Sequence, residues 1–151
     1  MNASSDDAYV TAIGPAQTPG RAAPGLARYP DVPNSTPITF TDEEYADRLA
    51  AVRQRMASQN LTALIVTDPA NLYYLLGYNA LSFYTPQMLY VPLDGELYFF
   101  AREMDANGAF RTSWLPQDHT FGYPETFVQR RDTHPFVWVA AKLRELGLVN
   151  N

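Results

Sequence analysis

His119 and His134 are the two histidines of the chain, and no His-x-x-x-His or Glu-x-x-His spacing joins them to a second ligand on one helical face. Both are therefore expected to be non-ligand residues. With no cysteine present, thiolate chemistry and disulfides are excluded. No Gly-x-Ser-x-Gly elbow or phosphate-cradling glycine loop occurs, which leaves nucleophilic and nucleotide chemistry without a foothold. The carboxylates read as structural groups. Asp42, Glu43 and Glu44 cluster where a helix dipole favours negative charge, Asp68 and Asp105 stand at cap positions, and Asp94 belongs to a turn. No catalytic residue and no metal ligand is assigned within the chain.

The stretch "GYNALSFYTPQ" is different in kind. Tyr78, Phe83, Tyr84 and Gln87 occupy a segment with neither helical nor strand periodicity, so its aromatics either fold back into the core or face a ligand. As a ligand wall, aromatic faces would suit a small compact solute carrying a delocalised positive charge. Arg111, in "DANGAFRTSW", could hold a carboxylate bidentately, and a surface ion pair is equally compatible. Gln129, Arg130 and Arg131 form a polar loop that also fits a solvated turn.

These residues need a scaffold. A chain of 151 residues, 46% of them apolar, is long enough for one domain with a core. The net charge of −5 argues against a nucleic-acid partner, which would require a basic stripe. The acidic start "MNASSDDAYV" lacks the basic and apolar regions of a signal peptide, and no stretch approaches the roughly 20 apolar residues of a membrane span. A soluble, cytoplasmic protein with no membrane partner is expected.

Residues 1–37 hold six of the 12 prolines without a hydrophobic period, and read as a flexible Pro/Gly/Ala-rich arm. The domain proper spans residues 38–151. Thr41 and Glu44 predict a capping box, and Tyr45, Leu49, Val52 and Met56 then share one helical face, leaving Asp47, Arg48, Arg53 and Arg55 for water. "TALIVT" reads as a strand buried on both faces. In "DPANLYYLLGY", Asp68 caps a helix, Pro69 occupies its first position and Gly77 ends it at positive φ. "QMLYVPL" and "ELYFFARE" flank Asp94-Gly95 as a tight hairpin. A short helix capped by Asp105, a strand at "HTFGYP" and a helix from Pro135 to Gly147 complete an α/β order. The order stops on a helix that would normally lead into a further strand, so truncation of a longer chain is expected.

As a set, these residues resemble the amino-terminal domain of the creatinase, aminopeptidase P and prolidase family. The capped helix, the apolar strand and the Asp-Pro-x-Asn-x-x-Tyr-x-x-Gly corner carry the likeness. "SFYTPQ", "DANGAFRTSW" and "GYPETFVQRRDTHP" are more particularly similar to ectoine hydrolase and its relatives. The resemblance implies a ribonuclease-H-like mixed sheet flanked by helices, with no catalytic role of its own. It also implies a separate "pita-bread" domain, absent from residues 1–151, that holds a divalent metal pair through two Asp, one His and two Glu. The substrate-facing residues expected here are Tyr78, Phe83, Tyr84, Gln87 and Arg111. Phe83 resembles the position at which creatinase offers a phenylalanine to substrate, whereas Thr85 stands where creatinase has an arginine, which argues against creatine. The expected partners are a small-molecule or short-peptide substrate and, in the full-length protein, a second copy as a homodimer. A stand-alone module for a small zwitterion, and a purely structural dimerisation domain, are the alternatives.

Overall fold

The computed structural model describes residues 10–12, 40–80, 82 and 84–149. In chain order the elements are β1 (Val10–Ala12), α1 (Asp42–Ser58), β2 (Ala63–Val66), α2 (Pro69–Leu76), β3 (Met88–Pro92), β4 (Tyr98–Arg102), α3 (Glu103–Thr112), β5 (Thr120–Tyr123) and α4 (Pro135–Glu145). The strands form one mixed sheet in the order β1-β2-β3-β4-β5, parallel only between β4 and β5. Most of the arm lies outside the described residues. Its Val10–Ala12 forms an edge strand against Leu64–Val66, which its composition did not predict.

Pleat alternation divides the core between the two faces of the sheet. Leu64, Val66, Leu89, Val91, Phe99 and Ala101 pack with α1, α2 and α3. Ala63, Met88, Tyr90, Phe100 and Tyr123 pack with Val139 and Leu143 of α4 on the other side. "ALIV" is thus buried on both faces as its composition requires, although both of its partners run antiparallel.

Helix α1 begins where the spacing predicts, with Thr41 Oγ1 accepting from the Glu44 amide at 3.2 Å. Only half of a capping box forms, because the Glu44 carboxylate takes the Arg48 guanidinium at 2.5 Å. Arg48 and Arg53 are more than solvated charges. The Arg48 guanidinium lies 3.9 Å from the ring centre of Phe40 and 4.5 Å from that of Tyr74. Arg53 donates to the carbonyls of Pro92 and Gly95 at 3.1 and 2.5 Å, tying α1 to the β3–β4 turn. That turn runs over five residues, 93–97, with Gly95 at φ +102°, and is longer than the tight hairpin expected from Asp94-Gly95.

The corner "DPANLYYLLGY" forms as its residues dictate. Asp68 Oδ1 accepts from the Asn71 amide at 3.0 Å, Pro69 opens α2, and Gly77 closes it at φ 75°. Its apolar face, Leu72, Leu75 and Leu76, is buried, each side chain contributing roughly 1.5–3 kcal/mol. A helix end leaves four carbonyls without intrahelical donors, and here each one is met. Tyr73 takes the Gly77 amide at 2.8 Å, Tyr74 the Arg48 guanidinium at 2.9 Å, Leu75 the Trp114 indole at 2.8 Å and Leu76 the Trp114 amide at 3.2 Å. The segment after Gly77 therefore leaves from a fixed point.

Helix α3 contradicts one sequence expectation. It follows β4 without a loop, its cap is Arg102 with no side-chain cap bond, and Asp105 sits inside its first turn. A parallel β4–β5 pair needs a crossover, and α3 supplies it by lying directly on β5. A Cβ built on Gly122 would stand 2.6 Å from Glu103 Cα. Helix α4 opens on His134, whose Nδ1 accepts from the Phe136 amide at 3.2 Å, and the chain past it is held by Tyr90, whose hydroxyl donates to Leu148 O at 3.0 Å.

Candidate functional site

The segment 77–87 links the capped end of α2 to the start of β3, and its Pro86 lies against Tyr123 at the carboxyl end of β5, where α/β sheets commonly present their ligand-binding residues. Its described residues are mostly inward-facing. Ser82, Thr85 and Gln87 are buried, and the Tyr78 ring packs 4.9 Å from that of Phe99. Tyr84 turns outward and is 56% exposed. Within one segment, then, Tyr78 folds back into the core and Tyr84 lies at the surface. Phe83 lies outside the described residues.

Polar groups gather beneath this segment. Ser82 Oγ and Thr85 Oγ1 share a hydrogen bond, and Thr85 Oγ1 donates to Asp105 Oδ2 at 3.2 Å. The Tyr123 hydroxyl donates to Pro86 O at 2.7 Å. Arg102 pairs with Glu125 at 2.6 Å, and its guanidinium is close enough to Tyr84 and Asp105 to feel both. Burial, reinforced by Asp105, pushes the Tyr78 hydroxyl up to about 12. Burial does the same for Tyr123, again to about 12, with Asp105 adding to it and Thr85 opposing it. Both phenols therefore stay protonated as donors at neutral pH.

Two of these groups have no partner. Among the described residues the Tyr78 hydroxyl, and both the oxygen and the nitrogen of the Gln87 carboxamide, are buried without a hydrogen bond. Antiparallel register carries Gln87 opposite Ala101, on the face that holds Leu89, Phe99 and Tyr78.

The structure does not bring Arg111 into this group. It is exposed at the far end of α3, with its guanidinium 5.5 Å from the Phe110 ring centre and about 9 Å of helix rise beyond Asp105. Arg130 pairs with Asp132 at 2.9 Å on the surface, and Gln129 adopts φ 52°, leaving that loop as a structured turn. The His119 ring lies 4.7 Å from that of Tyr98, tilted by 35°, and His134 caps α4. Among the described residues no three His, Asp or Glu side chains are grouped to hold a metal ion. Sequence reasoning missed Arg102, Tyr123 and Glu125, and took Asp105 for a cap. Only the break in apolar pattern where β4 and β5 end, "FFARE" and "FGYPE", signals them.

Residues 48–148 match the profile of the Creatinase/Prolidase N-terminal domain. The chain belongs to this family. The creatinase/prolidase domain described here is 45% identical over 103 residues to ectoine hydrolase from Halomonas elongata, covering 68% of this chain and 26% of that protein. It is 42% identical over 107 residues to an uncharacterized hydrolase/peptidase, y4tM, from Sinorhizobium fredii, covering 70% of this chain and 27% of the relative. The chain therefore spans about a quarter of the length of these curated relatives. Among solved structures, a proline dipeptidase from Streptococcus pneumoniae superposes with a TM-score of 0.53 at 22% identity, covering 64% of each chain. Dipeptidase PepE from Mycobacterium ulcerans gives 0.55 at 22% identity, covering 70% of this chain and 27% of that one. The mixed sheet with flanking helices is the fold of these creatinase/prolidase amino-terminal domains. Among the described residues no helix is long and apolar enough to cross a membrane.

Proposed function

We propose that this creatinase/prolidase domain is the non-catalytic, specificity-giving part of a longer metal-dependent hydrolase that splits a C–N bond in a small cyclic or proline-like substrate. Likeness to ectoine hydrolase and to proline dipeptidases supports the substrate class. The observation that carries the reading is Tyr84, a large aromatic 56% exposed near Arg102 at the carboxyl end of β4, in a segment whose Ser82, Thr85 and Gln87 are buried. An aromatic ring exposed beside the Arg102–Glu125 pair offers a face to a ligand brought to this edge of the sheet.

The described residues do not fit a divalent metal pair, because they group no set of ligands. Such a pair would belong to the rest of the longer protein, and no step is assigned to residues of this chain through it. In this reading the domain also takes part in a homodimer, and the cysteine-free sequence suits the reducing cytoplasm.

In the longer protein, Tyr84→Ala is expected to lower kcat/KM by about tenfold, corresponding to ~1.4 kcal/mol of lost binding, mainly through KM, while the denaturation midpoint of this domain stays unchanged. Steady-state kinetics paired with urea denaturation decides it. An unchanged kcat/KM would remove Tyr84 from the site.

A further inference from the structure

The sheet ends at β5, and among the described residues β5 is bonded to β4 alone. Its four residues, "TFGY", carry no charge and no proline, the usual guards of an exposed strand edge. A cleft of about 240 Å³ lies between β5 and α3. Pleat alternation turns Thr120 and Gly122 toward this cleft, and Phe121 and Tyr123 to the other face of the sheet. Helix α3 contributes Glu103, Asn107 and Phe110, which share one face at i, i+4 and i+7. Glu103 stands roughly 200° round the helix axis from Asp105, so the cleft is separate from the group beneath residues 82–87. Among the described residues the side chains of Glu103 and Asn107 make no hydrogen bond or ion pair. A favourable helix dipole would explain a carboxylate at position 103. It does not explain an open strand edge running beside a cleft.

We propose that this edge is a docking site for an extended basic segment of a partner polypeptide, which adds to β5 as a further strand and places a lysine or arginine in the cleft. An added strand takes its main-chain hydrogen bonds from the open edge, and its alternate side chains face α3 as Thr120 and Gly122 do. Gly122 has no side chain to fill the space between them. The aliphatic stem of a long basic residue can lie along the Phe110 ring, while its charged head reaches the Glu103 carboxylate and donates to the Asn107 carboxamide oxygen. Charge selects this occupant, because the lining of the cleft holds a carboxylate and no cation. The net charge of −5 favours the approach of a basic segment to the domain as a whole.

The test is a titration of the 151-residue chain with the peptide acetyl-Thr-Val-Lys-Val-Thr-amide, followed through the backbone amides of residues 120–123 and the side-chain amide of Asn107. The expected result is a saturable shift of both sets of signals at millimolar peptide. Replacing the lysine by norleucine, its neutral counterpart, should weaken binding about fivefold, and Glu103→Gln should bind the lysine peptide no better than the unmodified chain binds the norleucine one. N-methylation separates strand addition from charge attraction alone. Methyl groups on the two valines block one edge of the peptide, and methyl groups on the lysine and the second threonine block the other, so only one of these variants should lose binding, by about tenfold. If Glu103→Gln does not fold, the peptide contrasts in the unmodified chain decide the matter. Equal binding of the lysine and norleucine peptides, equal affinity for the two methylated peptides, or no saturable shift over 120–123 would overturn the assignment. A shift of the same amides with protein concentration alone would also overturn it, by making a second copy of the chain the occupant.

Discussion

Gly122→Ala is expected to cost about 3 kcal/mol of folding stability, at the upper end of the usual penalty for overpacking. The added Cβ would lie 2.6 Å from Glu103 Cα and 3.1 Å from Glu103 Cβ. The nearest atom is backbone, so no rotamer change relieves the contact, and α3 must lift from β5. That movement would loosen the crossover placing Asp105 beneath Thr85. Urea denaturation measures the loss. In the same series Gly108→Ala, at an open position within α3, should be neutral or slightly stabilising, because nothing lies within 4 Å of its added methyl and alanine favours helix. Similar midpoints for the two variants would mean that α3 does not sit this close to β5.

Gln87→Leu should move stability the other way, by a gain of about 2 kcal/mol, since it replaces two unsatisfied buried polar atoms with apolar volume of similar size. In the longer protein the same variant should lower kcat/KM. A gain in midpoint with a loss of turnover is the signature of a polar group kept for function. A loss of stability in Gln87→Leu would show that the carboxamide is already satisfied in the folded domain.

The elements that position this site were legible because their signals are local. Asp68, Pro69 and Gly77 mark the start and end of α2 within ten residues, and the 3.6-residue period of Tyr45, Leu49 and Met56 marks the buried face of α1. The pairings were less legible, because they depend on residues distant in sequence. Nothing local shows that Trp114 closes the carbonyls of Leu75 and Leu76, or that Arg53 holds the 93–97 turn. The site divides in the same way. An aromatic-rich segment without period pointed to residues 78–87, but periodicity could not separate inward Tyr78 from outward Tyr84. Asp105 reads as a cap because acidic residues favour helix starts, and only the fold brings Thr85, 20 positions earlier, onto its carboxylate. Arg111 was singled out for its chemistry, and the rise of α3 carries it away from the group.

A ligand-facing role for the segment between α2 and β3 predicts an effect of substrate there and none on the second sheet face, under α4. Hydrogen–deuterium exchange of the longer protein, with and without a non-hydrolysed substrate analogue, reads this directly, since amides that a ligand orders exchange more slowly. The expected result is slowed exchange confined to peptides covering 79–87 and the first turn of α3, with α4 from Pro135 to Glu145 unchanged. Unchanged exchange over 79–87 at saturating analogue would contradict the account and reduce the segment to core packing.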